Sequence, residues 1–359
     1  MKFPGSIAKV RPLSLRDNGY DVIRLILAAS VVYSHSYAVG GFGLEPTKPF
    51  SKEGVILGEL GVLGFFGLSG FLVSASFERS RSVGSYLLKR ARRIFPGYWV
   101  CLALTAFLFA PLIWCIGRGE SLGAFPWTGT DGALDFLMRN FFLQIRQGTI
   151  GTVLQGAAWP GSINGSLWSL FPEFLCYIGV ALLGVGGAFS GSRWLLAAAA
   201  LTAFAYHVVV TVRGPEAFPD APSLFALTIF APYLTAFVFG ACASVWKDLL
   251  HFSWVTVLVL AFLAIWLIRL GGFEIASPIL ITALVLSAGG CFSAKMNTDL
   301  SYGIYIYSFP CQQLLFAAGW ASAGLPLFFA ASLLASAAFA WLSWTLVEKP
   351  SLHRNSSSG

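Results

Sequence analysis

The sequence predicts an all-α, polytopic integral membrane protein, with about ten transmembrane helices and an external loop that caps them. Three observations lead to this fold class. The 359 residues are 57% hydrophobic and only 11% charged, whereas soluble domains have about 25% charged residues. Apolar runs of about 20 residues, the length that crosses a bilayer, recur from end to end. Basic residues are concentrated in alternate loops, as the positive-inside rule predicts.

The apolar runs define the expected spans and the orientation of the chain. Alternation from a cytoplasmic N-terminus places most Lys and Arg residues on the cytoplasmic side, so we expect both termini there. The net charge of +7 is explained by these loops, which favour anionic lipid head groups as partners and no nucleic acid. The expected spans are 21–39, 55–77, 95–115, 166–187, 194–212, 223–245, 252–270, 275–293, 301–319 and 325–346.

The same pattern divides the chain into segments. Residues 1–20 form a cytoplasmic N-terminal lead, residues 21–350 the transmembrane domain, and residues 351–359 a cytoplasmic tail. Within the domain we expect a basic cytoplasmic loop at 78–94 and a long external loop at 117–165. The six cysteines lie mostly in apolar helices without close pairing, so neither a disulfide framework nor a metal site is predicted.

Two ionisable side chains, Arg24 and His35, interrupt the first span. Ionisable residues inside a membrane are costly and are usually functional. Their spacing of about three turns plus 20° puts them on one helix face, roughly 16 Å apart along the axis. In the alternative interpretation, Arg24 reaches the cytoplasmic surface and His35 hydrogen-bonds a neighbouring helix.

The fourth span begins with a polar stripe, Ser166, Ser169, Glu173 and Tyr177, at helical spacing. Asn164 is placed to cap the start of this helix. A carboxylate at this depth needs a partner. The alternative interpretation is that Glu173 pairs with a structural arginine or bonds Tyr177.

The run Lys89–Arg93 is the densest basic cluster of the chain. Its side chains can bind phosphates by charge, and its arginines can do so by bidentate hydrogen bonds. A cluster that only fixes the topology would look the same. Two further patterns predict helix packing, namely the small residues Gly64, Gly67 and Gly70, and the polar stripe Ser301, Tyr305, Ser308 and Gln312.

Taken in order, these motifs resemble the acyltransferase 3 family of bacterial membrane proteins, and the similarity runs from about residue 20 to 350. The motifs are Asp21 to Arg24 with His35, Phe65 to Leu72, Arg93 to Pro96, Asn164 to Glu173, Ser301 to Tyr305 and Glu348 to Pro350.

The resemblance implies an inner-membrane O-acyltransferase. Such a protein moves an acyl group, commonly acetyl and sometimes succinyl, from cytoplasmic acyl-coenzyme A to a hydroxyl of a polysaccharide or lipid-linked glycan across the membrane. The acyl-coenzyme A is a co-substrate, and no tightly bound cofactor is expected. Polysaccharide synthesis proteins are further expected partners.

The resemblance also implies residue roles. His35 and Glu173 are the expected catalytic residues, and Arg24, Arg90 and Arg93 are expected to bind the coenzyme. Ser166, Trp168 and Tyr177 are expected to bind the acceptor. Many relatives carry a histidine where this chain has Ser308, so any role of that histidine is not transferred.

The residue types suit acyl transfer. A sugar hydroxyl needs a base near neutral pH, and histidine, with an unperturbed pKa of about 6.5, supplies one. A carboxylate such as Glu173 can orient the imidazole and stabilise the imidazolium. A transporter is the alternative class, because intramembrane ionisable residues and prolines within spans are also typical of carriers. The third hypothesis is that the chain is an inactive relative that assembles with a glycan synthase.

Overall fold

The computed structural model describes residues 11–12, 15, 18–214, 225–294, 296 and 298–353. Within these residues the chain is helical except for loops and two short strands, β1 (Arg11–Pro12) and β2 (His251–Phe252), which pair antiparallel. Most of the expected N-terminal lead and most of the tail lie outside the described residues.

The described residues form fourteen α-helices, and the longer ones follow the apolar runs of the sequence. In chain order they are α1 (Tyr20–Gly40), α2 (Thr47–Phe50), α3 (Leu57–Glu78), α4 (Val83–Leu104), α5 (Ala110–Arg118), α6 (Ala133–Arg139), α7 (Leu170–Val185), α8 (Trp194–Arg213), α9 (Phe225–Val245), α10 (Trp254–Leu270), α11 (Phe273–Gly290), α12 (Ser301–Ala317), α13 (Leu325–Ser343) and α14 (Lys349–His353). Two π-helical segments join consecutive helices, Thr105–Phe109 between α4 and α5 and Trp344–Glu348 between α13 and α14. The short 3₁₀ segments are Leu122–Ala124, Gly165–Ser169, Lys247–Leu249 and Trp320–Ala323.

Seven helical segments of the described chain are long and apolar enough to cross a membrane. They contain α1, α3, α4 with α5, α7, α8, α11, and α13 with α14. The described part of α9 and all of α10 are apolar but shorter, and α12 has 17 residues. An all-helical membrane protein is therefore confirmed. The count of ten spans and the role of the 117–165 loop as a cap stay predictions.

The chain forms two compact units. The first contains Met1–Leu27, Pro46–Leu87 and Leu175–Asn297, and the second contains Ala28–Glu45, Leu88–Phe174 and Thr298–Gly359. Helix α1 contributes to both, with Arg24 in the first unit and His35 in the second.

The first unit depends on glycines that let α3 approach α9 and α11. A Cβ atom at Gly70 would overlap the Phe237 carbonyl on α9, and one at Gly67 would overlap Thr282 on α11. A glycine is also needed on α9, because a Cβ atom at Gly240 would overlap the Gly67 carbonyl of α3. The predicted close helix approach is confirmed, and dispersion contacts between the backbones stabilise it.

The second unit is built around α12, which is buried along most of its length. The Tyr302 hydroxyl donates to the Ile94 carbonyl of α4 at 2.8 Å, and the Cys101 thiol of α4 donates to the Ile306 carbonyl at 3.2 Å. Gly303 lies so close to Ala340 of α13 that a side chain there would clash. The predicted packing role of polar residues on α12 is confirmed, and α12 is the frame on which the candidate site lies.

Candidate active site

His35 lies on α1 in the second unit, against the ring of Phe309 on α12. The two rings meet edge to face with 5.0 Å between their centroids. His35 is half-buried, and its Nδ1 atom is buried and has no hydrogen-bond partner among the described residues. A buried polar atom that bonds nothing costs about 1–3 kcal/mol, so such atoms need an explanation. Here the unused nitrogen is chemically available to accept a proton.

The 3₁₀ segment Gly165–Ser169 begins at the same Phe309 ring. A Cβ atom at Gly165 would lie 2.7 Å from this ring, so glycine allows the close approach. Asn164 fixes the start of the segment, because its side chain accepts from the Ser166 amide at 3.3 Å and donates to the Ile306 carbonyl at 2.9 Å. The predicted capping role of Asn164 is confirmed.

Ser166 is 1% exposed, and its hydroxyl is also buried without a hydrogen-bond partner in the described part of the chain. Gly165, the residue before it, touches the ring that His35 contacts. His35 Nδ1 and the Ser166 hydroxyl are therefore two buried polar groups of the second unit with unused hydrogen-bonding capacity. That combination can bind and deprotonate a hydroxyl group.

Gln312 fixes the turn of α1 that carries His35. Its Nε2 donates to the Val32 carbonyl at 2.8 Å and to the Ser36 hydroxyl at 2.9 Å. Gln312 is fully buried. The two bonded residues lie before and after His35 in the sequence, and both bonds attach α1 to α12. The position of the imidazole therefore depends on Gln312.

Glu173 lies in the first turn of α7, in the second unit. Its carboxylate interacts electrostatically with the hydroxyls of Tyr305 and Tyr302 on α12. The Tyr305 hydroxyl also lies 2.7 Å from that of Ser169. No described hydrogen bond joins Glu173 to His35. Tyr305 precedes Phe309 by about one helical turn, so the Glu173 partner on α12 lies about one turn nearer the start of that helix than the His35 partner.

The other acceptor-binding candidates, Trp168 and Tyr177, differ in their surroundings. Trp168 is 37% exposed. Tyr177 is buried in the first unit, where its hydroxyl lies 3.3 Å from that of Ser69. The expected single stripe from Ser166 to Tyr177 assumed an uninterrupted α-helix. The 3₁₀ segment turns about 120° per residue instead of 100°, so its side chains fall out of phase with those of α7.

Arg93 forms the strongest ionic cluster of the second unit. Its guanidinium contacts the Asp299 carboxylate at 2.5 Å and the Glu348 carboxylate at 3.4 Å, and it lies over the ring of Tyr302. The Ser343 hydroxyl donates to Glu348 at 2.9 Å. The Arg93 side chain thus has a structural role that the basic run alone did not reveal.

The two remaining basic candidates are Arg90 and Arg24. Arg90 is half-buried on α4, about one turn before Arg93. Arg24, in the first unit, forms a 3.7 Å ion pair with Asp21. Ser308, at the position of the family histidine, is fully buried and donates to the Tyr305 carbonyl at 3.2 Å.

Glu45 was missed by the sequence analysis. It is 4% exposed and accepts a hydrogen bond from the Ser34 hydroxyl at 2.5 Å. A single acid in a loop has no periodicity that would reveal its burial. Among the described residues, no group of three His, Cys, Asp or Glu side chains could hold a metal ion.

These features define an integral membrane protein with a polar site built on membrane helices. A sequence model of the acyltransferase 3 family, described as an acyltransferase domain, matches residues 17–345. The chain belongs to that family, and the resemblance predicted from its motifs is confirmed.

Two relatives cover almost the whole chain. The chain is 30% identical to the O-acetyl transferase of Shigella phage Sf6 over an alignment of 361 residues. That alignment covers 95% of this chain and 98% of the relative. The chain is 26% identical over 364 residues to nodulation protein 10 of Rhizobium leguminosarum bv. viciae, spanning 93% of each. No solved structure matches the chain.

Gln312 offers a first test of the site. In Gln312→Leu the side chain keeps its size but loses both bonds to α1, so His35 is less well held. We expect kcat for acyl transfer to fall about 10- to 100-fold, since misplacement by an ångström can have that effect. Transfer of label from acetyl-coenzyme A would measure it, with the exposed Gln144→Leu as matched control. An unchanged kcat in Gln312→Leu would show that the clamp is irrelevant to catalysis.

Proposed function

We propose that the protein transfers an acyl group, in the first place acetyl, from cytoplasmic acyl-coenzyme A to a hydroxyl of a polysaccharide or lipid-linked glycan across the membrane. One observation carries this proposal: the buried Nδ1 of His35, on a membrane helix, has unused hydrogen-bonding capacity, and the Phe309 ring that His35 contacts also packs against Gly165, the residue before Ser166. Family membership favours acyl transfer over transport. The name of the phage relative supports an oxygen acceptor and an acetyl group.

The proposed reaction uses His35 as general base. The acceptor hydroxyl gives its proton to the unpartnered imidazole nitrogen as its oxygen attacks the thioester carbonyl carbon. The new carbon–oxygen bond forms, the carbon–sulfur bond breaks, and the coenzyme thiolate takes the proton from the imidazolium. The Ser166 hydroxyl, buried nearby, hydrogen-bonds the acceptor and orients its hydroxyl group.

We propose that Arg90 holds the phosphates of the donor by charge. Arg93 contributes chiefly by fixing α4 to Asp299, just before α12, and to Glu348 in the π segment Trp344–Glu348. In this proposal the protein resides in the bacterial cytoplasmic membrane with both termini cytoplasmic. Gly40, at the end of α1 nearer His35, is then on the acceptor side.

The direct experiment is an acyl-transfer assay with purified full-length protein, labelled acetyl-coenzyme A and envelope glycan as acceptor. We expect label in the glycan fraction. Adding unlabelled succinyl-coenzyme A tests the choice of acyl group, because a donor that the protein also uses reduces the transfer of label. Coenzyme A release without labelled glycan, or no reaction at all, would contradict the proposal.

Glu173 is proposed to act on the developing imidazolium from a distance. In Glu173→Gln the negative charge is lost while the shape is kept, so we expect transfer to slow about tenfold, the equivalent of a 1.4 kcal/mol charge interaction. Binding of acetyl-coenzyme A, measured by calorimetry, should not change. The exposed Glu78→Gln is the matched control. A rate in Glu173→Gln equal to that of the control would remove Glu173 from the site.

A further inference from the structure

The second unit contains a cavity of about 170 Å³ between the end of α5, the turn at 153–157 and the end of α12. Its walls are partly apolar, with Ile113, Leu154 and Phe316 among them. Its polar side chains are Gln155 and Gln313, and no charged side chain is among the described residues that line it. A neutral ligand with both polar and apolar surface fits such walls.

Gln313 is the buried polar group of this cavity, with 1% exposure. Its Nε2 donates to the carbonyls of Trp159 and Ser162, both at 2.9 Å. These two acceptors fix the orientation of the amide. Its Oε1 is buried and accepts no hydrogen bond from any described residue. Gln313 therefore brings to the wall of the cavity an amide of fixed orientation with an unused acceptor, whose burial is unfavourable until a donor reaches it.

Gln155 provides the complementary group. Its Oε1 accepts from the Arg118 guanidinium at 2.7 Å, and Arg118 is itself held by the Thr152 carbonyl at 2.8 Å. With its oxygen engaged in this way, the Gln155 amide presents its N–H groups as donors. An acceptor and a donor thus line the same small cavity beside an aromatic wall.

The cavity lies beyond His35 along the same helices. Phe316, in its wall, follows Phe309 on α12 by about two turns. A Cβ atom at Gly41, just after the end of α1, would lie 3.3 Å from Ala158 and 3.9 Å from Phe316. The distance from the His35 level to the cavity is therefore roughly 10 Å along the helix axes, about the length of two sugar rings.

We propose that this cavity binds a neutral sugar ring of the acceptor glycan, next to the ring whose hydroxyl is acylated. Sugar hydroxyls both donate and accept hydrogen bonds, as Gln313 and Gln155 require, and the C–H face of the ring packs on Phe316. The phosphates of the donor do not match these uncharged walls. The proposal deepens, and rests on, the proposed transfer to a glycan.

The test fills the cavity without removing its polar groups. Ala157 lines the cavity and is half-buried, and its backbone bond to the Leu154 carbonyl is kept in Ala157→Phe. The matched control is Ala124→Phe, at an exposed position of the same unit that does not line the cavity. Thermal unfolding of both full-length variants in detergent shows whether each is folded.

Binding is measured by saturation-transfer difference NMR with methyl glycosides of a hexose, a 6-deoxyhexose and an N-acetylhexosamine. We expect saturation transfer to at least one glycoside with wild type and Ala124→Phe, and its loss with Ala157→Phe. Absence of transfer to all three with wild type would indicate a cavity that holds water only. A signal that survives in Ala157→Phe would place sugar binding elsewhere. Both results overturn the proposal.

The kinetic readout separates this inference from the proposed function. In Ala157→Phe the KM for envelope glycan should rise about tenfold or more, the effect of losing one good hydrogen bond. Acetyl-coenzyme A binding should be unaffected. If wild type transfers acetyl groups and Ala157→Phe has an unchanged acceptor KM, the inference is wrong while the proposed function stands.

Discussion

Replacing His35 with alanine should reduce acyl transfer about 10²- to 10⁴-fold, the usual contribution of a general base. The fold should survive this change, because no described hydrogen bond or ion pair depends on the His35 ring. The main loss in packing is the edge contact with Phe309. Catalysis and stability are therefore separable at this position.

The measurement is the initial rate of label transfer from acetyl-coenzyme A to envelope glycan, normalised to folded protein in the membrane. His251→Ala is the matched control, because His251 is exposed on β2. Retention of more than roughly a tenth of the activity in His35→Ala, well above the range for a general base, would exclude His35 from that role.

Arg93→Gln should destabilise the protein by about 3–5 kcal/mol, the typical effect of removing one partner of a buried ionic cluster. The Arg93 side chain is 22% exposed and that of Glu348 only 2%, so solvent replaces little of the lost charge. Without the guanidinium, Asp299 and Glu348 would repel each other. Thermal unfolding in detergent measures the loss.

Two further variants make the Arg93 result specific. Adding Asp299→Asn and Glu348→Gln to Arg93→Gln removes the repulsion and should restore much of the stability. Arg90→Gln, one turn away, should weaken acetyl-coenzyme A binding, and raised salt should mimic that loss. If instead Arg93→Gln melts like wild type and only donor binding falls, Arg93 is a ligand-binding residue and not a structural one.

The sequence predicted the helices well because bilayer thickness and hydropathy determine them directly. Each of the ten expected spans coincides with a helix of the described chain, although seven segments meet the length and hydropathy expected of a span. The tight contacts of α3 were also predictable, since Gly64, Gly67 and Gly70 recur on one face. Such features depend on local composition and spacing.

The partners of the polar residues were much less predictable. Periodicity gave no sign that Arg93 pairs with Asp299, which lies 206 residues away. Nor did it show that Asn164 anchors the 3₁₀ segment before α7 to α12 through the Ile306 carbonyl. Long-range pairing of this kind depends on tertiary packing.

The π segment Trp344–Glu348 determines which residue of this part of the chain faces Arg93. The buried positions of α13, Phe328, Ser332, Ser336, Ala340 and Ser343, are spaced by three or four residues, but the next buried position, Glu348, comes after five. The widened turn thus shifts the helical phase by one residue. A regular α-helix would have brought Val347 to this face, so the carboxylate that neutralises Arg93 is supplied by one extra residue in the turn.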